Sequence, residues 1–266
     1  MKWPAAIIGL LVIGSVAVAI YIYVGHTEVP ISPSSASSGV DSSRPTSVPT
    51  TESRQYTVLV DVSQSRTSGM IAEGEHYMDA LIDRMNYGDR LVILQMYEAG
   101  VNEARTDLDV SLTKPTDSLA LDENEELKST RNDLKEPVHL FFQRAHTRPV
   151  LHTDILTTLS IASEKVSEGK RNVLVILSDM LQSSREFEFE HLKRMPPPGW
   201  IARRTQQGLT RPLYGACVVA VGADPSTHEG IVVRQFWQQY FKASNATLSA
   251  RNYRTTPPSG DASLCE

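Results

Sequence analysis

The chain has 266 residues, of which 26 are basic and 31 acidic, and its formal net charge is −5. This balance excludes the strong basic excess that would point to nucleic acid or an anionic membrane surface as a partner. The length is sufficient for one α/β domain with a sizeable core, preceded by other segments.

An uncharged run from Trp3 to Gly25 is long enough for a helix that crosses a bilayer. We expect residues 1–25 to be an uncleaved, single-pass transmembrane anchor. A cleaved signal peptide is the competing interpretation, because Ala17-Val18-Ala19 resembles a cleavage site. Since Lys2 lies before the run, the positive-inside rule places the N-terminus in the cytoplasm and the rest of the chain outside it, in the periplasm or at the cell surface.

Residues 26–55 are mostly Ser, Pro, Thr and Val, a composition that cannot bury enough apolar surface to fold. We expect a disordered linker whose reach as a coil is about 30 Å. Residues 56–255 then form the folded domain and residues 256–266 a flexible tail. An oxidising compartment allows a disulfide between Cys217 and Cys265, but we expect a buried strand thiol and a free tail thiol.

Four continuous apolar runs predict strands that are buried on both faces, as in a parallel sheet between helix layers. Apolar residues at helical spacing predict three helices that alternate with these strands. The predicted strands are 57–62, 91–97, 173–177 and 216–221, and the predicted helices are 70–85, 153–168 and 231–243. The alternation indicates a doubly wound, mostly parallel α/β sheet flanked by helices.

Two segments interrupt this alternation. Residues 107–112 alternate in polarity like an edge strand, and a charged stretch from Asp122 to Glu136 precedes a short helix that we expect to begin near Pro137. Residues 183–212 include a run of three prolines followed by Gly199 and Trp200. We expect both segments to be additions over the rim of the sheet.

Oxygen-bearing side chains follow predicted strands at three distant places in the chain. Open α/β sheets bind ligands beyond the carboxyl ends of their strands, so these side chains should meet at one edge. Carboxylates and hydroxyls are ligands for Mg²⁺, or for Mn²⁺ or Ca²⁺, rather than for zinc or copper. We therefore predict a divalent-cation site formed by Asp61, Ser63, Ser65, Thr153 and Asp179.

Each of these residues also has a purely structural interpretation. Ser65 and Thr153 are good helix N-caps without any metal. A strand-end Asp such as Asp61 or Asp179 often only caps a loop. The occurrence of all five on one predicted rim, in the right order, favours the metal site.

Asp61-x-Ser63-x-Ser65 after the first strand, Thr153 at the start of a middle helix, and Asp179 at the end of the next strand resemble a von Willebrand factor type A (vWA) domain. In that family these elements form the metal-ion-dependent adhesion site. The apolar strand from Gly215 to Gly222 also resembles the family's next strand. The resemblance covers residues 55–255 and implies a Rossmann-like fold.

By resemblance, Ser63, Ser65 and Thr153 would be direct or near-direct ligands, and Asp61 and Asp179 would coordinate or hold metal-bound water. A vacant position on the metal would accept an acidic side chain from a partner protein. The chain departs from the family pattern in two places. Leu151-His152 stands where small glycines usually precede the Thr, and Met180 stands where a Gly usually follows the Asp.

The leading functional hypothesis is a membrane-tethered module, without catalytic residues, that binds a protein partner through a divalent cation. One alternative is a Mg²⁺-dependent phosphatase with Asp61 as nucleophile. Against it, Ser63 stands where a second Asp is needed two residues on. Another alternative is a metal-free vWA scaffold that assembles partners through residues 100–150 and 183–212, with Phe187, Phe189 and Trp200 as contact candidates.

Overall fold

A computed structural model of the chain describes residues 52–63, 66, 68–96, 106–115, 122–147, 151–257 and 265. The predicted anchor, most of the predicted linker and the predicted ligand Ser65 lie outside the described residues. Within the part that is described, no helix is long and apolar enough to cross a membrane.

The described residues build a seven-stranded sheet in the order β3-β2-β1-β4-β5-β6, with β7 also paired to β5. All pairings are parallel except that of β2 with β3. The prediction of a mostly parallel sheet is confirmed, and the strand predicted at residues 107–112 lies at its edge, where it pairs antiparallel to β2. The strands are β1 Arg54–Val60, β2 Arg90–Gln95, β3 Thr106–Ser111, β4 Arg171–Leu177, β5 Ala216–Val221, β6 Ala246–Thr247 and β7 Tyr253–Arg254.

Helices cover both faces of this sheet, because alternate strand residues point to opposite faces and are apolar on each. Val58 and Val60 pack in the cluster that includes residues of α1 and α2, whereas Leu59 packs in the cluster that includes residues of α3 and α5. The helices are α1 Ser68–Ile82, α2 Glu123–Thr147, α3 Ile155–Lys165, α4 Trp200–Gln206 and α5 His228–Ala243.

The expectation of a short helix beginning near Pro137 is wrong. The charged stretch and the apolar segment form one continuous helix, α2, with Pro137 inside it. Proline removes one hydrogen bond from a helix interior, but burial of one long apolar face on both sides of it offsets that loss. The buried residues of that face are Leu134, Val138, Phe141, Phe142 and Ala145.

The expectation of two free thiols is also wrong. Cys217 in β5 and Cys265 form a disulfide, with 5.6 Å between their Cα atoms. A side-chain N–H of Arg171 donates to the backbone carbonyl of Cys265 at 2.8 Å, and Cys265 packs against the core cluster that includes α1 and α2. The residue expected in a flexible tail is thus bonded to a central part of the sheet.

The topology has a switch point between the neighbouring strands β1 and β4. From β1 the chain proceeds to β2 on one side, and it later returns to β4 on the other side. The register pairs Val60 with Leu177, so the residues that follow these two strands emerge side by side. Such a position, beyond the carboxyl ends of parallel strands, is where ligands bind in open α/β sheets.

Candidate functional site

The carboxylate of Asp61 lies at this switch point and is fully buried. Its backbone N–H donates to the carbonyl of Leu177 at 3.0 Å, which extends the β1–β4 ladder by one residue. Its Oδ1 accepts hydrogen bonds from the backbone N–H of Ser63 at 2.9 Å and from the Thr153 hydroxyl at 3.2 Å. Its Oδ2 accepts from the Ser178 hydroxyl at 2.8 Å. One buried carboxylate therefore gathers three chain segments.

The structural alternative for Thr153, a helix N-cap, is wrong. The N-cap of α3 is the next residue, Asp154, whose carboxylate accepts from the backbone N–H of Thr157 at 3.1 Å and from its hydroxyl at 2.7 Å. Because Asp154 satisfies the helix terminus, the buried hydroxyl of Thr153 is directed to Asp61 instead. Asp154 thus caps the helix, and Thr153 contributes its hydroxyl to the site.

Gln182 holds the start of α3 against the loop that follows β4. Its side-chain amide donates to Asp154 Oδ1 at 2.9 Å, and its carbonyl oxygen accepts from the backbone N–H of Leu156 at 3.1 Å. The backbone N–H of Ser183 donates to the carbonyl of Thr153 at 2.8 Å. These bonds position the Thr153 segment relative to the Asp179 loop without involving the predicted ligands' side chains.

Asp179 begins a tight loop after β4. Its Oδ1 accepts from the backbone N–H of Leu181 at 2.8 Å, and its side chain is half-buried. Met180 has a φ of 66°, the left-handed conformation that favours glycine. The loop therefore keeps a glycine-like backbone although the sequence has no Gly there. The fully buried Met180 side chain and a 2.9 Å hydrogen bond from Trp237 Nε1 to the Met180 carbonyl hold it.

The structure brings several of the predicted site residues together. Asp61, Ser63 and Thr153 are brought together by direct hydrogen bonds. Asp179 follows Ser178, which itself bonds to Asp61, so the carboxylates of residues 61 and 179 belong to neighbouring strand ends on one rim. Ser65 lies outside the described residues.

The donor set of this rim fits a hard divalent cation. The Thr153 hydroxyl donates its hydrogen to Asp61 and keeps lone pairs that a cation can use, whereas the Ser178 hydroxyl also accepts from the backbone N–H of Met180. In the ranges that the structure describes, no group of three or more His, Cys, Asp or Glu side chains could hold a metal. A metal at this rim would therefore depend on hydroxyl oxygens as well as on the two carboxylates.

Sequence analysis missed Ser178, and it also missed Arg66. Arg66 is a buried residue, with a relative exposure of 7%. One terminal N–H donates to the carbonyl of Met70 at 2.9 Å, but Nε and Nη1 have no hydrogen-bond partner among the described residues. Burial lowers the pKa of Arg66, and the carboxylates of Asp61 and Asp179 oppose that shift. The only sequence signal was a charged residue directly after the Asp-x-Ser-x-Ser motif.

The segment between β4 and β5 covers the sheet beside this rim. Phe187, Phe189 and Trp200 are buried and make edge-on or tilted ring contacts within the α5 side of the core, so these side chains are not available as partner contacts. The same segment lines a cleft of about 360 Å³ together with residues of α3. Its charged lining includes Asp154, Arg185 and Arg204.

No family model and no curated protein matches this chain. Solved structures with similar folds include proximal thread matrix protein 1 from the mussel byssus, at 16% identity over 64% of this chain and 38% of that chain, with a TM-score of 0.38. They also include VWA2 from Sulfolobus acidocaldarius, at 12% identity over 65% and 36% with a TM-score of 0.36. A von Willebrand factor type A protein from Catenulispora acidiphila has 13% identity over 73% and 43%, with a TM-score of 0.36.

The chain thus spans less than half the length of each of these three proteins. The mussel protein has also been solved with zinc in its metal-ion-dependent adhesion site. At these TM-scores the likenesses carry no argument about function, which has to come from the rim itself.

Proposed function

We propose that residues 54–254 form a vWA-type module that binds a protein partner through a divalent cation, Mg²⁺ in the first place. The observation that carries this proposal is the carboxylate of Asp61, which is buried, accepts the hydroxyls of Thr153 and Ser178, and lies at the switch point of the sheet. Three segments that are distant in sequence converge there. The ligands predicted on them are all oxygen atoms, which Mg²⁺ prefers.

The residues that would hold the cation are Ser63, Ser65, Thr153, Asp61 and Asp179, with Ser178 orienting Asp61. The cation would supply a positive charge that attracts a carboxylate of the partner. The chain's own residues fix the geometry, because Asp61 accepts the hydrogen of the Thr153 hydroxyl and leaves the lone pairs of that oxygen for the cation. Leu151, which is 66% exposed and lies two residues before Thr153, offers an apolar contact beside such a carboxylate.

Membrane tethering and an extracytoplasmic position complete the proposal. The apolar run of residues 3–25 and the Ser/Pro-rich linker are the sequence features behind it. The disulfide between Cys217 and Cys265 supports an oxidising compartment, since such bonds are rare in the cytosol. A tether would raise the local concentration of the module near partners at the same membrane.

The metal-free scaffold remains the second candidate, because Asp61 has hydrogen-bond donors on both oxygens and the Arg66 guanidinium nearby. The phosphatase alternative is disfavoured on accessibility. A nucleophilic carboxylate must reach its substrate, and that of Asp61 is fully buried. We therefore propose a binding function rather than catalysis.

The test is a calorimetric titration of the full-length chain in mild detergent with MgCl₂ and MnCl₂. Thr153→Val removes the hydroxyl at nearly constant volume and should weaken Mg²⁺ binding at least about tenfold. Thr158→Val is the matched control, because the buried Thr158 hydroxyl donates to the carbonyl of Asp154, the N-cap of α3, and not to Asp61. If wild type and both variants bound Mg²⁺ with equal affinity, the proposed metal site would be wrong.

Partner binding is tested with the same variants. Capture of a partner from native membranes should require the divalent cation, be abolished by a chelator and be lost in Thr153→Val but retained in Thr158→Val. Capture that survives both chelator and Thr153→Val would favour the metal-free scaffold instead.

A further inference from the structure

The side chain of Arg66 is buried at the rim and is not exposed to solvent beside it. The backbone N–H of Arg66 donates to the Ser63 carbonyl at 3.1 Å. Its side chain donates to the Met70 carbonyl in α1 at 2.9 Å. These two hydrogen bonds hold the positive charge beside the rim.

Gly222, at the end of β5, makes room for this arrangement. Its φ is 102°, and a Cβ at this position would lie 3.1 Å from the Ser178 carbonyl oxygen and 3.6 Å from Arg66 Nη1. Any larger residue would push against the segment that carries Ser178. The Arg66 guanidinium thus lies beside the strand end whose Ser178 hydroxyl bonds to Asp61.

Two of the guanidinium nitrogens, Nε and Nη1, are buried and have no hydrogen-bond partner in the part of the chain that the structure describes. Burial of a cation that lacks hydrogen-bond partners costs free energy unless a negative charge lies near it. The acidic groups that act on Arg66 are Asp61, Asp179 and the exposed Glu73. Two of these three are predicted metal ligands, so Arg66 and a bound cation would share the same carboxylates.

The formal charges show what this sharing does. The carboxylates of Asp61 and Asp179 and the guanidinium of Arg66 together leave a single negative charge. A divalent cation converts this to a single positive charge, and one carboxylate from a partner then neutralises the site. Without Arg66, the cation alone would already neutralise the two carboxylates.

We propose that Arg66 couples the two binding events: it weakens binding of the cation alone and strengthens binding of the cation together with an acidic group. The inference rests on the proposed cation-dependent function and adds a residue that sets when the site is loaded. Arg66 is a positioning charge here and not a metal ligand, because a guanidinium has no lone pair to offer.

The experiment measures Mg²⁺ affinity of the full-length chain by calorimetry, with sodium acetate replacing sodium chloride at equal ionic strength. Acetate is the probe for the partner carboxylate. In wild type, acetate should increase Mg²⁺ affinity severalfold. Arg66→Met should bind Mg²⁺ at least about tenfold more tightly than wild type in chloride, and the gain from acetate should shrink.

Arg66→Gln serves as a second uncharged variant that retains a donor for the Met70 carbonyl, in case Arg66→Met does not fold. Arg84→Met is the matched control, since it removes a positive charge from an exposed position at the end of α1. Circular dichroism and thermal melts establish that each variant is folded. The control should match wild type in both salts, because exposed charges are screened.

The outcomes separate the two proposals. If wild type binds Mg²⁺ and Thr153→Val does not, but the Arg66 variants match wild type in both salts, the coupling role is wrong and the metal site stands. If Arg66→Met binds Mg²⁺ and wild type does not, Arg66 governs loading even more strongly than proposed. If neither wild type nor the Arg66 variants bind Mg²⁺ or Mn²⁺, the metal site itself is wrong, and the coupling role with it.

Discussion

The hydroxyl of Ser178 donates a 2.8 Å hydrogen bond to Oδ2 of Asp61, although the two residues are 117 positions apart in the chain. The same hydroxyl accepts from the backbone N–H of Met180 at 3.0 Å. Ser178 thus connects the ends of two central strands and also shapes the loop that presents Asp179. The carboxylate of its partner Asp61 joins the segments following β1, α2 and β4.

Ser178→Ala should lower the free energy of unfolding by about 1–3 kcal/mol, because it leaves a buried carboxylate oxygen and a backbone N–H without a partner. Ser178→Thr keeps the hydroxyl and should retain most of the stability. Urea unfolding followed by circular dichroism measures both. A stability of the Ala variant equal to that of wild type would mean that water replaces the hydroxyl at this position.

Met180→Gly should destabilise the domain, even though glycine suits the left-handed φ of 66° better. Relief of strain contributes about 1 kcal/mol, whereas loss of a fully buried Met side chain costs about 2–5 kcal/mol. We expect a net loss of about 1–4 kcal/mol in chemical denaturation.

Asn245→Gly is the matched control for that comparison. Asn245 has a φ of 54° directly after α5, and its side chain is exposed. Relief of strain there is not offset by lost packing, so the substitution should be neutral or stabilising by up to about 1 kcal/mol. A similar destabilisation in both variants would contradict the burial argument.

The parallel sheet and its rim could be predicted from the sequence because their signals are local. Continuous apolar runs mark strands buried on both faces, and the polar residue that ends each run marks the rim. Asp61 and Asp179 were found in this way. Thr153 is predicted as a ligand from the same rim pattern, and its alternative as a helix N-cap is wrong because the adjacent Asp154 caps α3.

The features that sequence analysis missed depend on contacts between distant residues. The disulfide requires that the segment around Cys265 return to β5, which no local pattern indicates. The continuity of α2 past Pro137 depends on the core that both halves of the helix face. Arg66 looks like a surface residue in the sequence, but in the fold it is buried beside the ends of β4 and β5, near Ser178 and Gly222.

Stability should fall at alkaline pH. Burial raises the pKa of Tyr77 to about 12 from its ordinary value of 10. The folded state favours the neutral phenol and is stabilised by it. This contribution to the free energy of unfolding is fully present below pH 10 and is lost as the pH rises towards about 12. Burial also raises the pKa of Tyr253. Urea midpoints measured from pH 9 upwards should therefore decrease.

Tyr77→Phe should lose less free energy of unfolding at alkaline pH than wild type, by roughly 1–3 kcal/mol, because no phenol at that position remains to ionise. Tyr214→Phe is the control, since Tyr214 is among the exposed large side chains. If both variants lose stability with the same alkaline slope as wild type, the other tyrosines account for the whole effect.

The disulfide between Cys217 and Cys265 closes a segment with a sequence separation of 48 residues. The chain-entropy model gives about 4 kcal/mol for a loop of this size, and measured effects usually fall below it. We expect Cys265→Ser to lower the free energy of unfolding by about 2–4 kcal/mol. Reduction of wild type by dithiothreitol should give the same loss, and the reductant should not affect Cys265→Ser.

The same bond tests the proposed location of the domain. A protein isolated from its native membrane without reductant should show no thiol that reacts with a maleimide before unfolding and reduction, because both cysteines are paired. Two thiols that react after unfolding alone would contradict the disulfide in the cell and would place the domain in a reducing compartment. The anchor's orientation would then have to be reversed, because only a domain outside the cytoplasm keeps such a bond oxidised.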